Sequence, residues 1–366
     1  MKSSADVAVV GGGVIGLALA RELSSRGASV QVIERGRTGQ EASSAAAGLL
    51  SAQSDAVTPS PFFDLARESR DLYPAWSLAL SGETGVGVGW RRTGIVRCGP
   101  PETLEPYGWQ SGAGLPIERM DASEIGRCTA GRAAPGLSGL FFPEDAVVDS
   151  RLLVRALKRS LLERGVDVAE GVAVTRFRVE GGACRGVETT TGPVAAARVV
   201  DAAGAWADLD PALPFPIPVE PVSGQIVELT DDGPFPTVLG SDEVYLVPRG
   251  RRILVGATVE RTGFRKEVTA AGVAELLSAA IGLAPSLARA RVTGSWSGLR
   301  PGTPDDLPIL GESPIRGLFL AAGHFRNGIL LAPLTALLLA DAVTGVLSRD
   351  LSLFSPERFA GATRVG

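Results

Sequence analysis

Cysteine and histidine are nearly absent: the 366 residues hold three cysteines, Cys98, Cys128 and Cys184, and one histidine, His324. An odd number of widely spaced cysteines gives no disulfide framework and suits a reducing compartment, so a cytoplasmic protein is expected. Neither C-x-x-C nor H-E-x-x-H occurs, and no metal site is expected. The absence of G-x-S-x-G and of G-x-x-x-x-G-K-[ST] sets aside a serine-nucleophile elbow and an ATP loop. Basic residues are not in excess, 36 Lys and Arg against 40 Asp and Glu, which leaves no stripe for a phosphate backbone and argues against a nucleic-acid partner. Uninterrupted apolar runs are short. Glycines 11, 12, 13 and 16 break the stretch 7–20, and 329–343 is too short for a bilayer and contains Pro333, so it reads as a buried helix and no membrane partner is expected.

What remains is a globular chain long enough for about two domains. It is 45% hydrophobic and 21% charged, and its 46 Gly and 25 Pro imply many turns and favour mixed α/β architecture over a helical bundle. Residues 6–10 form a β-type run, 14–25 carry helical periodicity, and 29–33 form a second β-type run ending in Glu34, the opening of a βαβ unit. Residues 42–48, Ala-Ser-Ser-Ala-Ala-Ala-Gly, are too small to build a core and must let something approach closely. A helix is expected at 62–81, then short strands at 93–98, 139–143, 223–230, 244–248 and 252–258, the texture of an antiparallel sheet. The first domain returns with a helix at 150–164, a buried strand at 197–204, and finally Leu-Phe-Leu-Ala-Ala-Gly at 318–323, leading through His324 to Gly328 into the apolar helix.

The motif Gly11-x-Gly13-x-x-Gly16 between strand and helix, with Glu34 closing the next strand, predicts a dinucleotide site. Gly11 permits the tight turn, Gly13 leaves bare backbone for a diphosphate, and Gly16 lets the helix pack on the strand. The free N–H groups of the helix supply partial positive charge. Glu34 can accept both ribose hydroxyls and would repel a 2′-phosphate. The second glycine-rich return points to FAD: a helix starting near Asn327 aims its positive end over the loop, where a reduced flavin needs it near N1 and the C2 carbonyl.

VVGGGVIG at 9–16, SSAAAG at 43–48, YLVPR at 245–249, GLRPGTPD at 298–305 and AAGHFRNGILLAP at 321–333 carry a resemblance to a known family. The chain resembles the D-amino acid oxidase family of FAD enzymes over nearly its whole length, and within it most closely the glycine oxidases of thiamine biosynthesis. The resemblance implies an α/β fold, a Rossmann-type FAD-binding domain with an antiparallel-sheet substrate domain. It implies that Arg300 grips a substrate carboxylate, with Arg326 as its partner near the flavin and Tyr245 in the pocket. It also implies that FAD is lined by Gly11, Gly13, Val14, Ile15, Gly16, Glu34, Arg35, Ala42, Ser43, Ala46, Ala47, Gly48 and Val174, and by the loop His324, Phe325, Arg326, Asn327, Gly328, Ile329 and Leu330. The sequence departs from the family pattern at Glu243 and Val259, near the pocket tyrosine. The oligomer it suggests is a homotetramer.

Read for themselves, Arg300 and Arg326 stand in glycine-bounded loops, where a planar guanidinium matches a carboxylate in two hydrogen bonds. His324 reads as a loop group satisfied by backbone, not a catalytic base. The expected division is an FAD domain of residues 1–84, 144–215 and 300–366 and a substrate domain of 85–143 and 216–299. The expected reaction is oxidation of a small amino acid or amine, such as glycine, sarcosine or a small D-amino acid. Hydride passes to flavin N5, the imino acid hydrolyses, and O2 becomes H2O2. A dehydrogenase using a quinone or protein acceptor, and a non-catalytic FAD-binding protein, are the other readings.

Overall fold

In the computed structural model, residues 3–208, 210–346 and 349–360 are described, so the expected segments 1–84, 144–215 and 300–366 lie partly outside it. The strands in chain order are β1 (Ser4–Val10), β2 (Val30–Glu34), β3 (Leu49–Leu50), β4 (Ile95–Cys98), β5 (Glu118–Met120), β6 (Gly139–Phe142), β7 (Ala146–Val147), β8 (Asp167–Glu170), β9 (Val174–Glu180), β10 (Ala183–Thr189), β11 (Gly192–Asp201), β12 (Glu220–Thr230), β13 (Val238–Gly240), β14 (Tyr245–Arg249), β15 (Arg252–Gly256), β16 (Arg291–Gly302), β17 (Ile309–Glu312) and β18 (Leu318–Ala322). The helices are α1 (Val14–Ser25), α2 (Ala42–Ala45), α3 (Pro61–Thr84), α4 (Pro101–Leu104), α5 (Gly108–Gly112), α6 (Ala122–Cys128), α7 (Ser150–Glu163), α8 (Ala270–Leu283) and α9 (Gly328–Thr344).

One sheet runs β17-β18-β11-β1-β2-β8, parallel from β18 to β8, with the β9–β10 hairpin added antiparallel to β11. Strand β1 is buried on both faces, as a central parallel strand must be. Val7 and Val9 pack with α1, α3, α7 and α9, while Ala8 and Val10 face Phe177 and Val187 of the hairpin. The second sheet runs β16-β12-β15-β14-β13-β4-β6-β5, antiparallel except where β13 meets β4. Its far face is covered by α8, whose Leu276, Ala280 and Leu283 join Val227, Leu246 and Val255.

Helix α9 is the apolar segment expected at 329–343. Phe325–Thr344 is long and apolar enough to cross a membrane, but most of it is buried in this core, against α1 and α3. Pro333 removes the N–H that would reach the Ile329 carbonyl. The Tyr73 hydroxyl of α3 donates to that carbonyl instead. One turn away, Ser69 Oγ donates to Leu330 O at 2.7 Å. Helix α3 therefore repairs the ladder that Pro333 opens, and fixes the start of α9.

The expected strands and long helices are present, with ends shifted by a few residues. The β9–β10 hairpin and α8 were not expected. Helix α8 carries Gly272 and Gly282 among alanines, a weak helical pattern. Its start is fixed by Thr269, whose hydroxyl accepts from Gly272 N at 3.1 Å.

Candidate active site

The glycine loop leaves β1 with Gly11 at φ +105°, a left-handed conformation that favours glycine. A Cβ there would stand 2.4 Å from Ala202 O at the end of β11, and one on Gly16 would stand 2.1 Å from Gly11 O. Helix α1 thus approaches the strand through hydrogen atoms alone. Its first turn carries no acidic side chain, and Ser43 Oγ accepts from Val14 N at 2.9 Å. A bare helix start beside a hydroxyl is a donor set for a diphosphate. Glu34 is buried, with Oε2 accepting from Gly12 N at 2.7 Å and Oε1 from Gly36 N at 2.8 Å. Each oxygen keeps a second lone pair, so two hydroxyl donors can still be accepted.

Around this loop, Arg35 lies 3.5 Å over the Trp206 ring and pairs with Glu41 at 3.1 Å. Trp206 carries no sequence motif that would have singled it out. The small residues of α2 admit β16: Trp296 Nε1 donates to Ala45 O at 3.0 Å, and a Cβ on Gly298 would meet Ala45 at 2.5 Å. The chain past Ala46 is clamped by Arg249 of β14, which donates to Ala47 O and Val148 O, both at 2.5 Å. Burial lowers the Arg249 pKa to about 10. Val174 opens β9, two residues after Val172, whose N–H donates to Glu34 O at 3.0 Å. These contacts gather Gly11, Gly13, Val14, Glu34, Arg35, Ser43, Ala46, Ala47, Gly48 and Val174 around the end of the parallel sheet. The cradle that a Cβ would fill and the bare helix start both fit a dinucleotide.

The second constellation lies at the edge of the antiparallel sheet. Arg300 sits on β16 opposite Val222, not in the loop expected from GLRPGT. Pro301 pairs opposite Pro221, and β16 is the last strand of its sheet, where a missing N–H is tolerated. Arg300 Nη1 donates to Thr258 O at 3.0 Å and to Ser223 O at 3.3 Å. Gly224 of β12 makes room for it: a Cβ there would be 2.3 Å from Nη1 and Nη2. Tyr245 opens β14, and Gly256 on β15 leaves room for its ring, with the hydroxyl 2.6 Å from the place of the missing Cβ.

Arg300, Arg326 and Tyr245 come together. Burial raises the Tyr245 pKa, and the charges of Arg300 and Arg326 oppose that rise. Burial lowers the Arg300 pKa, with Tyr245 opposing and Arg326 adding to the effect. Arg326 belongs to the short 3-10 turn Phe325–Asn327, with Phe325 at φ +44°, and this turn packs against β16. Helix α9 then begins at Gly328, Ile329 and Leu330, with no acid in its first turn. Among the described residues, neither Arg300 nor Arg326 forms an ion pair with a protein carboxylate.

His324 differs from expectation. It is buried and its Nε2 lies 3.2 Å from Thr335 Oγ1 within α9, so a side chain satisfies it rather than backbone. Thr335 lies about two turns along the helix and repeats no motif. Burial lowers the His324 pKa to about 3, so the ring is neutral. Glu243 is exposed and lines a cleft with Glu275, Ala279 and Gly282 of α8, and Val259 is also exposed.

One further acid reaches the recess. Asp55 bears exposed surface, and its charge couples to Arg326, Arg97 and Tyr245. Its chain is tied down by a buried network. Asp145 accepts from Gln53 N at 3.1 Å and Ser54 N at 2.8 Å and pairs with Arg70 at 3.1 Å, while Gln110 Nε2 donates to Gln53 O and Ala56 O, both at 2.9 Å. Among the described residues, no group of three or more His, Cys, Asp or Glu is placed to hold a metal ion.

Residues 6–342 match the family described as FAD dependent oxidoreductase. The chain is 40% identical to a glycine oxidase of Geobacillus kaustophilus over 98% of both chains. It is 38% identical to a bifunctional protein ThiO/ThiG of Trichormus variabilis, over 97% of this chain and 55% of that protein. A crystal structure of glycine oxidase from Geobacillus kaustophilus superposes with a TM-score of 0.92 at 38% identity, covering all of both chains.

Proposed function

Because the chain belongs to the FAD dependent oxidoreductase family, we propose that it oxidises a small amino acid or amine, with glycine, sarcosine and small D-amino acids as the substrate class. The observation that carries this reading is the meeting of Arg300, Arg326 and Tyr245, with no carboxylate among the described residues ion-paired to either arginine. Two cations facing one recess, Arg300 half-buried and Arg326 exposed, repel each other, and the arrangement is relieved by an anion between them. A substrate carboxylate supplies that anion, held by the guanidinium groups and the Tyr245 hydroxyl.

FAD, when bound, would supply a two-electron acceptor for the substrate carbon's hydride that O2 can reoxidise, with H2O2 as the product. The bare start of α1, Ser43, Glu34 and the clamped 46–48 backbone would hold FAD, and the positive end of α9 would favour the negative charge of a reduced flavin. Arg300 and Arg326 fix the carboxylate so that one C–H bond is presented in a single orientation. His324 takes no proton: its neutral ring is turned into α9. The oxidised product is an imino acid that water hydrolyses to an oxo acid and ammonia or an amine.

We assign residues 1–84, 144–215 and 300–366 to an FAD domain and 85–143 and 216–299 to a substrate domain; the two separate sheets support this division except at residues 300–302, which end β16 of the second sheet. A cytoplasmic homo-oligomer, with a place in thiamine biosynthesis when glycine is the substrate, completes the reading. The test is to mix purified protein with glycine, sarcosine and D-alanine, in air with peroxide detection and anaerobically with the flavin absorption followed. Bleaching with at least one of them, and peroxide in air, is expected. No bleaching with any of the three overturns the reading, and bleaching without peroxide identifies a dehydrogenase instead.

A further inference from the structure

Apart from Asp55, the ionisable groups described so far in the recess are arginines and a phenol, and the proposed substrates carry an ammonium as well as a carboxylate; a second acid, Asp242, lies between β13 and β14. Asp242 is taken: it pairs with Arg97 of β4, whose guanidinium also lies 5.4 Å over the ring of Tyr107. Glu243, on the same turn, is turned toward α8 and is not among the charges that Tyr245 senses. Asp55 is different. Its Oδ2 accepts from Ser51 Oγ at 2.7 Å, and its Oδ1 has no partner among the described residues. The groups that face it are Arg97 from β4, Arg326 from the turn before α9, and the hydroxyls of Tyr107 and Tyr245. Asp55 keeps exposed surface, and with these groups about its carboxylate that surface borders the recess. Its backbone is held on both sides through Asp145 and Gln110, and a side chain as short as aspartate on a fixed backbone points to a fixed place.

We propose that Asp55 is the substrate's amine partner, accepting its N–H through Oδ1 and taking the proton that must leave the nitrogen before oxidation. The inference rests on the reading above. An ammonium nitrogen has no lone pair to support loss of the α-hydrogen with its electrons. When its N–H bond breaks, the electron pair stays on nitrogen and the proton forms the O–H bond of Asp55, which releases it to solvent after turnover. The site is then a charge template: two guanidinium groups for the acid end, one carboxylate for the amine end. It selects amino acids and N-methyl amino acids over carboxylic acids that lack the amine. Burial raises the Asp55 pKa above the usual carboxylate range, against the pull of Ser51, Arg97 and Arg326. Below that pKa Asp55 already carries a proton and accepts none, so activity on amines falls as pH drops through it.

The experiment compares flavin-loaded wild type, Asp55→Asn and Asp55→Glu. Steady-state oxidation of sarcosine is measured across pH, and acetate, which has the carboxylate and no amine, is titrated by calorimetry. A charge-assisted hydrogen bond of ordinary strength predicts that Asp55→Asn lowers kcat/KM for sarcosine by about ten- to a hundredfold. The acid limb of its pH profile disappears, acetate binds as tightly as before or tighter, and Asp55→Glu recovers part of the loss. The inference is overturned if kcat/KM for Asp55→Asn stays within about twofold of wild type, or if acetate weakens in parallel with sarcosine, the sign of a structural role. Wild type that fails to oxidise any amine overturns the functional reading itself, and the inference with it.

Discussion

Replacing Gly224 with alanine tests the arginine site without touching any polar group. The added Cβ would stand 2.3 Å from Arg300 Nη1 and Nη2 and 2.4 Å from Cζ. A carbon and a nitrogen in van der Waals contact need about 3.5 Å, so the guanidinium must retreat by about 1 Å. The strand itself has no reason to fail, because the clash is with the end of a flexible side chain and alanine is tolerated in strands. What moves is the hydrogen-bonded position of Arg300 between Ser223 O and Thr258 O. Losing one charged hydrogen bond to a substrate carboxylate is worth about 1.5–3 kcal/mol, or about ten- to a hundredfold in kcat/KM. Anaerobic stopped-flow reduction of the flavin across sarcosine concentration reads the loss, and thermal unfolding reads the fold. Gly294→Ala on β16, the strand that carries Arg300, is the control, since its Cβ would only meet Trp296 at 3.9 Å. Unchanged sarcosine kinetics in Gly224→Ala, with the control also unchanged, would refute the assignment of Arg300 as the carboxylate anchor.

Other perturbations reach other parts of the account. Gly16→Ala drives a methyl to 2.1 Å from Gly11 O and should loosen the phosphate loop, so FAD retention in dialysis should fall by tenfold or more while apoprotein secondary structure by circular dichroism is kept. Tyr73→Phe strands the Ile329 carbonyl freed by Pro333 and should reduce stability by about 1–3 kcal/mol in denaturant unfolding, whereas Ser81→Ala on the same helix should change little. Asp201, buried with Oδ2 unpartnered, has its pKa raised by burial to about 8 from the ordinary 3.8. A carboxyl raised in this way binds a proton in the folded state that the unfolded chain releases. Its contribution is therefore whole below about pH 4 and is lost as pH rises toward 8, a span worth on the order of 5 kcal/mol. Asp201→Asn should flatten the fall in stability between pH 5 and 8, and an unchanged slope would contradict the assignment.

The nucleotide half of the site was legible because its physics is local. A tight turn, a close helix approach and a strand-end acid lie within 24 residues, and each demands a particular residue type. The arginine pair was legible through motif resemblance, but its setting was not: Gly298, Pro301 and Gly302 read as a loop, whereas an edge strand accommodates them by pairing Pro301 opposite Pro221. The network of Arg70, Asp145, Gln53 and Gln110 joins side chains up to 92 residues apart and repeats at no period. Asp55, the acid that network positions, was therefore hidden, while Glu243 drew attention by its place beside Tyr245. His324 likewise had a partner eleven residues away on α9 that its own loop gave no sign of.

The central claim is that two arginines hold an acid beside bound FAD. Titrating flavin-loaded protein with acetate while recording the flavin absorption tests it without turnover. A saturable shift of the visible band in wild type, lost in Arg300→Ala and weakened in Arg326→Ala, is the result expected. A band that acetate leaves unmoved, or moves equally in all three proteins, would contradict it.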